Sequence, residues 1–313
     1  MTVEEFIKNF ITNREEKGRA SETIRNYKSN IKNQISPRIG HLNATRISPH
    51  AIDSMFSAMT QEGLHRAAEL SFVLLNAAYK YAVKMGELAF NPMQRIERPK
   101  YICEPSPAID LDDLSKIYQT ATSSPYMHAR IETAVVLGLR PCEALGLCWS
   151  DFNLDSESPR LTVTRKLQRV KGEGLVFGPT KTRKTLVKQL SNEQVKIFKM
   201  HKATQGLQKA NWISDYDLVF PSPRGLPKDD KADYKDWKRL LEQAGVKNYQ
   251  RYQSRKSAFT HINAGVDYST LMKYSGHSQL STLLKHYIFP VDSSMKKLLA
   301  EQDSFRESMT HSK

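Results

Sequence analysis

The chain has 313 residues, enough for two domains with sizeable cores. It carries 47 Lys and Arg against 33 Asp and Glu, a formal net charge of +14, and a surface this basic attracts polyanions, nucleic acid first among them. Membrane insertion and export are disfavoured, since no stretch approaches 18 apolar residues and Met1 is followed by no leader pattern; Cys103, Cys142 and Cys148 have no paired metal spacing and read as reduced thiols of a cytoplasmic protein.

The first hundred residues read as helices. Thr2-Val3-Glu4-Glu5 is a capping-box pattern, after which Phe6, Phe10 and Ile11 share a helical face. Ser21 starts a second helix with Ile24, Tyr27, Ile31 and Ile35 on its apolar side, and Arg25, Lys28 and Lys32 on the flank of that stripe. Those three basic residues are candidate DNA contacts, with an ordinary solvated face as the alternative. Ser48-Pro49 marks the N-cap and first position of a third helix, and the Ala- and Leu-rich stretch 64–85 makes a fourth. Residues 1–94 therefore form a helical module. The charge excess is shared, with 15 basic against 10 acidic residues in the first hundred and 32 against 23 in the rest, which suits a protein gripping a duplex with two parts.

Residues 95–108, with Pro99, Pro105 and Pro107 and no periodicity, read as an extended linker. A second domain, 109–290, opens at Asp110 as a helix cap. Its 130–138 stretch is apolar nearly all round, which predicts a buried helix ending at Gly138. Pro141 restarts a helix, leaving Arg140 in the tight turn between. Leu161 and Val163 alternate as in a strand. Leu175–Pro179 and Leu186–Leu190 predict two more, with Thr180-Lys181-Thr182-Arg183 in the turn joining them. Trp237, Leu240 and Leu241 form a core stripe on a helix ended by Gly245. From Tyr252 to Tyr287 the chain is helical, interrupted at Gly265 and Gly276-His277. The fold class is mainly α with a small antiparallel sheet.

Phosphoryl transfer needs a nucleophile, positive charge on the non-bridging oxygens and a proton for the leaving oxygen. The sequence has no HExxH, no acidic run and no P-loop, so no metal or cofactor is expected, and the charge falls to arginine, whose fork matches a phosphate. Four segments then stand out. Leu137-Gly-Leu-Arg-Pro-Cys-Glu-Ala-Leu-Gly-Leu-Cys-Trp-Ser-Asp151 resembles the first arginine box of tyrosine recombinases of the phage integrase kind. Gly178-Pro-Thr-Lys-Thr-Arg183 resembles their catalytic-lysine hairpin. Tyr252-Gln-Ser-Arg255 stands where that family has His-x-x-Arg, continued by Thr260-His261 and Ala264-Gly265-Val266-Asp267. Gly276-His277-Ser278 followed by Tyr287 resembles the third box and the nucleophile. The order matches, with 115 residues between the arginines, 22 more to His277 and 10 more to Tyr287. The first hundred residues resemble the family's core-binding domain.

The resemblance implies a C-clamp fold around DNA and a division of labour. Arg140 and Arg255 clamp the scissile phosphate, and Glu143 orients Arg140. Lys181, with Lys184 close enough to be confused with it, protonates the 5′-oxygen. His277 hydrogen-bonds the phosphate, and Tyr287 forms a 3′-phosphotyrosyl link; a phenol with a pKa of roughly 10 needs neighbouring cations or a base to react near neutrality. Arg183 and Lys184 extend the DNA contacts. Tyr252 departs from the pattern, because a phenol donates a hydrogen bond but is a poor base near pH 7. The implied activity is site-specific cutting and rejoining of double-stranded DNA without metal or ATP. A homotetramer acts on two sites, the 291–313 tail docks on a neighbouring subunit, and accessory DNA-bending or directionality proteins can assist. No arm-binding domain is visible ahead of Thr2, which leaves a simple recombinase or a truncated chain. The alternatives are a DNA-binding protein of the same fold with impaired chemistry, for which Tyr252 speaks, and a type IB topoisomerase-like activity, against which the first domain speaks.

Overall fold

The computed structural model describes residues 1–281 except Ala20, 102–105, Lys171, Asp215, 263–267 and 277–278. The expectations for Cys103, the 264–267 stretch, His277, Tyr287 and the 291–313 tail fall outside the described residues. Contacts divide the chain into two units, Met1–Glu104 and Pro105–Lys313.

In the first unit, α1 (Val3–Glu16) starts at the capping box: Thr2 Oγ1 accepts from the Glu5 amide at 3.2 Å, and Glu5 Oε2 accepts from the Thr2 amide at 2.8 Å. Two donors at the helix start are thus satisfied reciprocally. Helix α2 (Ser21–Asn30) runs into a π turn at Ile31–Ile35 and the single turn α3 (Ser36–Ile39). The wider turn keeps Ile24, Ile31 and Ile35 on the buried side. Helix α4 (Pro49–Gln61) is capped by Ser48, whose Oγ accepts from the Ala51 amide, and α5 (His65–Lys84) carries Leu74, Leu75 and Tyr79 into the same core. Arg25, Lys28 and Lys32 are exposed. Arg25 pairs with Glu22 and Lys28 with Glu15, contacts that contribute little at a surface and exchange readily for a phosphate.

The second unit runs α6 (Leu111–Ala121), α7 (Pro125–Ile131) with a π turn at Glu132–Val136, α8 (Pro141–Ala144), strands β1 (Phe152–Asn153), β2 (Arg160–Val163), β3 (Arg165–Val170), β4 (Gly174–Pro179) and β5 (Leu186–Gln189), then α9 (Asn192–Gln208), α10 (Asp230–Gln243), α11 (Arg251–Ile262) and α12 (Tyr268–Ser275). The strands form two antiparallel sheets, β1-β2-β5 and β3-β4. The fold is mainly helical with a small antiparallel component.

Three details correct the sequence expectations. β4 and β5 are not hairpin partners. A six-residue strand, β3, follows β2 after Thr164 alone and pairs with β4 from Arg165↔Pro179 to Val170↔Gly174. Gly172 in the connection and Gly174 at the start of β4 take positive φ, so the chain turns back at once, the short loop costs little closure entropy, and β5 pairs with β2. Asp110 stands at the N-cap of α6, but its side chain accepts no helix amide; its Oδ2 accepts from Lys247 Nζ at 3.2 Å and Tyr249 Oη at 3.3 Å. Helix α9 had no apolar stripe to announce it, yet Ser191 and Gln194 form a capping box at its start.

A buried ion cluster sets where α11 begins. Arg130 of α7 donates from Nε and Nη2 to the two Asp233 oxygens at 2.9 and 2.7 Å, and Arg251 Nη1 donates to Asp233 Oδ2 at 2.6 Å. Asp233 is buried, and burial alone would raise its pKa; the Arg130 and Arg251 charges and hydrogen bonds outweigh this and hold it below the ordinary carboxylate range. A folded pKa below the unfolded one of about 3.9 makes the stabilisation complete above that pH and lost as pH falls through the folded value. Asp233→Asn should therefore cost about 3–5 kcal/mol at pH 7, leaving buried guanidinium charge unpaired. The gap to the parent should narrow below pH 4. Urea melts of both proteins at pH 7 and pH 3 check this, and an unchanged gap between the two would remove Asp233 ionisation from the account.

Candidate active site

The turn carrying Arg140 is built on Gly138. Its φ is +63°, a conformation that favours glycine, and a Cβ there would lie 2.6 Å from Cζ of Phe259 on α11. Arg140 follows in extended conformation as the N-cap of α8, with Pro141 at N1. One carboxylate then does two things: Glu143 accepts from the Arg140 amide at 3.0 Å and from Arg140 Nη1 at 2.7 Å. The same carboxylate thus satisfies a backbone donor at the start of α8 and fixes the direction of the Arg140 guanidinium. Glu143 is buried, while the Arg140 side chain keeps 18% of its surface open to solvent.

Arg255 lies one turn beyond Arg251 on α11 and is wholly buried. Its Nη1 donates to the Gly138 carbonyl at 2.5 Å and its Nη2 to the Ser275 carbonyl at 2.9 Å. Its guanidinium carbon sits 5.0 Å from the Phe259 ring centroid, and its Nε has no hydrogen-bond partner. Segments 117 residues before it and 20 residues after it are thus joined through one side chain. Among the described residues no carboxylate forms an ion pair with Arg255. A buried cation held by carbonyl oxygens without a carboxylate partner is electrostatically incomplete.

Lys181, Arg183 and Lys184 are exposed in the connection from β4 to β5. The Arg183 amide donates to the Thr180 carbonyl at 3.0 Å, and Thr180 Oγ1 donates to the Lys184 carbonyl at 3.0 Å. Arg183 has φ +55°, uncommon for a residue with a Cβ, so Lys181 projects from a tightly closed turn. Tyr252 lies in the first turn of α11 and is 52% exposed, outside the two separate cores that hold Trp237 and Phe259. Two matched box residues serve packing: His261 Nε2 bonds the Ile109 carbonyl at 2.9 Å, and Asp151 takes a two-point ion pair from Arg165.

Sequence reasoning missed Lys188. It is on β5, wholly buried, and its Nζ donates to the Tyr274 carbonyl at 2.7 Å. The signal was present, because Leu186, Lys188 and Leu190 occupy alternate positions and the lysine interrupts an apolar row. Burial, then the Arg255 charge, holds its ammonium well below the usual lysine range, with Glu143 acting the opposite way. Among the described residues no cluster of three or more His, Cys, Asp or Glu is placed to hold a metal ion, and no helix is long and apolar enough to cross a membrane. The site's chemistry, as far as these residues carry it, is that of aligned cations.

Comparison with known proteins bears on the same residues. The family model described as the phage integrase family matches residues 107–293. An integrase of Saccharopolyspora erythraea is 23% identical over 330 residues, which cover 87% of this chain and 75% of the relative. The integrase of the Tn1549 transposon in complex with a circular intermediate DNA is similar with a TM-score of 0.80 at 18% identity, over 96% of this chain and 99% of that one. A lambda integrase tetramer bound to a Holliday junction gives a TM-score of 0.63 at 18% identity, over 90% and 77% of the two chains. At these identities the structural likeness speaks for the fold alone.

Proposed function

The chain belongs to the phage integrase family and is a site-specific DNA recombinase of the tyrosine type; from that premise we propose how its own residues divide the reaction. Arg140, oriented by Glu143, and Arg255 offset charge on the scissile phosphate. Tyr287 attacks phosphorus and holds the 3′ end as a phosphotyrosine, His277 hydrogen-bonds the phosphate, and Lys181 gives the 5′-oxygen its proton. The link conserves the energy of the broken bond, so strands are exchanged and resealed with no metal or ATP. The observation that carries this reading is Arg255: a buried cation that, among the described residues, hydrogen-bonds carbonyls only, joining Gly138, two residues before Arg140, to Ser275, two residues before His277. The remaining parts of the proposal are the partners. Arg25, Lys28 and Lys32 of the first unit and Arg183 and Lys184 of the second contact the duplex, four subunits act on two sites, and accessory DNA-bending or directionality proteins assist. Sequencing the joints formed in a cell that carries the gene identifies the site. A suicide substrate built on that site should then trap a covalent protein–DNA adduct, and its absence on every joint sequence would overturn the reading.

Tyr252 gives a finer test. It can donate to a phosphate oxygen but takes up a proton poorly near neutrality. Tyr252→Phe should lose one hydrogen bond to a charged partner, worth ~1–3 kcal/mol, and slow single-turnover cleavage by roughly one to two powers of ten. Tyr252→His should match or exceed the parent rate, because imidazole both donates and accepts near its pKa of about 6.5. With half of Tyr252 exposed, neither change should move the melting temperature by more than a few degrees. Equal cleavage by the parent and Tyr252→Phe would place this ring outside the reaction.

A further inference from the structure

We propose that Lys188 is a positioning residue: together with Arg255 it clamps the C-terminal end of α12 and so sets where the Arg255 guanidinium and Gly276 stand for catalysis. The inference rests on the recombinase reading above and adds to it a residue outside the matched boxes.

The geometry is as follows. Strand β5 alternates, with Val187 52% exposed and Lys188 wholly buried. At such an inward position an apolar side chain is the ordinary choice, and Lys is almost never fully buried without a partner. The partner here is a helix end. Lys188 Nζ donates to the Tyr274 carbonyl at 2.7 Å and lies 3.4 Å from the Tyr274 ring centroid. The next carbonyl, that of Ser275, accepts from Arg255 Nη2. The last carbonyls of a helix have no intrahelical donor and carry its negative end, so two side chains from two other elements satisfy consecutive orphan acceptors. Gly276 follows at φ +70°, its amide bonded to the Met272 carbonyl. A Cβ on Gly276 would sit 3.4 Å from Leu186 Cδ1. The two inward residues of β5 therefore both face this helix end. The same strand leaves the turn that carries Lys181, seven residues earlier. Lys188 thus ties the turn of the proposed general acid to the turn that leads to His277.

Stability alone does not account for a lysine here. Its amine is enclosed beside the Arg255 charge, and an apolar side chain of similar volume avoids the cost of burying it. What a methionine does not supply is the N–H to the Tyr274 carbonyl.

The test is Lys188→Met in the full chain, on the suicide substrate described above. Two linkages are compared, the natural phosphate and a methylphosphonate that lacks one negative oxygen. We expect a melting temperature equal to or above the parent's and DNA affinity within about threefold. Adduct formation on the phosphate should be at least ~10-fold slower, against the ~10²-fold that a 1 Å misplacement costs. The deficit should shrink on the methylphosphonate, which depends less on aligned cations. A purely structural lysine moves both linkages alike. The proposal is overturned by parental rates on the phosphate, or by an equal deficit on both linkages. If Lys188→Met does not fold, Lys188→Ile is read in its place, and failure of both makes Lys188 a folding residue and ends the proposal. No adduct from the parent on its own joint sequences sinks the recombinase reading, and this inference with it; a parental adduct with an unaffected Lys188→Met sinks this inference alone.

Discussion

Tyr287→Phe is expected to abolish the covalent protein–DNA adduct and to leave DNA binding within about twofold. The change removes one oxygen and keeps the ring, so packing is retained while the attacking atom is gone. Covalent catalysis splits the exchange into two transfers through one enzyme-bound intermediate, and losing the nucleophile loses both; knockouts of this kind cost ~10³-fold or more. The chain has 13 tyrosines, so the check is twofold: gel-shifted adduct from the parent but not the variant, and peptide mapping of the parental adduct to Tyr287. An adduct that persists in the variant, or maps to another tyrosine, rejects the assignment. The assignment stands on the ten-residue spacing from His277 and the order of the boxes.

The second large effect belongs to Arg255. Arg255→Lys keeps the charge and loses the fork. A guanidinium donates in two directions within one plane, here to the Gly138 and Ser275 carbonyls, whereas an ammonium on a shorter reach cannot span both and still face a phosphate. The expected loss is ~10²–10³-fold in single-turnover cleavage, the scale for one electrostatic contact to the developing charge. DNA affinity should change little, because one phosphate contact among many contributes a small part of the electrostatic binding. A cleavage rate within threefold of the parent, in a variant that melts normally, would show that the buried guanidinium only braces the fold. Arg140→Lys is a useful companion, since Glu143 can still accept from the backbone amide and pair with an ammonium there while the guanidinium fork that matches a phosphate is lost.

Much of the site was legible because its signals are local. Gly138 before Arg140 and Pro141 after it announce a left-handed stop and a helical restart in four residues. Thr2 with Glu5, and Ser48 with Pro49, announce helix starts in the same way. In each case the side chain acts on backbone groups within one turn, so the sequence contains both partners. The boxes were legible for another reason: phosphoryl chemistry admits few residue types, and their order along the chain is itself information.

Tertiary structure decided what depends on partners far away in sequence. That β4 pairs with β3 rather than β5 follows from a competition between two closures, settled by the glycine-bearing connection at 172–174. Asp110 is a cap by pattern, yet its side-chain Oδ2 accepts from Lys247 and Tyr249, more than 130 residues on. Nothing near Asp233 in the sequence marks it as buried; Arg130, 103 residues before it, and Arg251, 18 after it, converge on it. Arg255 could be placed in a box, but its two carbonyl partners could not be read from the box. Lys188 is the sharpest case: the alternation of β5 shows that its side chain points inward, and only the packing of α12 shows what it meets there. The sequence by itself determined most helix ends and apolar faces, because those follow from interactions within a turn or a pleat, and it named a set of candidate chemical residues by their types and order. The tertiary structure determined which carbonyls and carboxylates those residues meet, because such pairings depend on chain closure and burial.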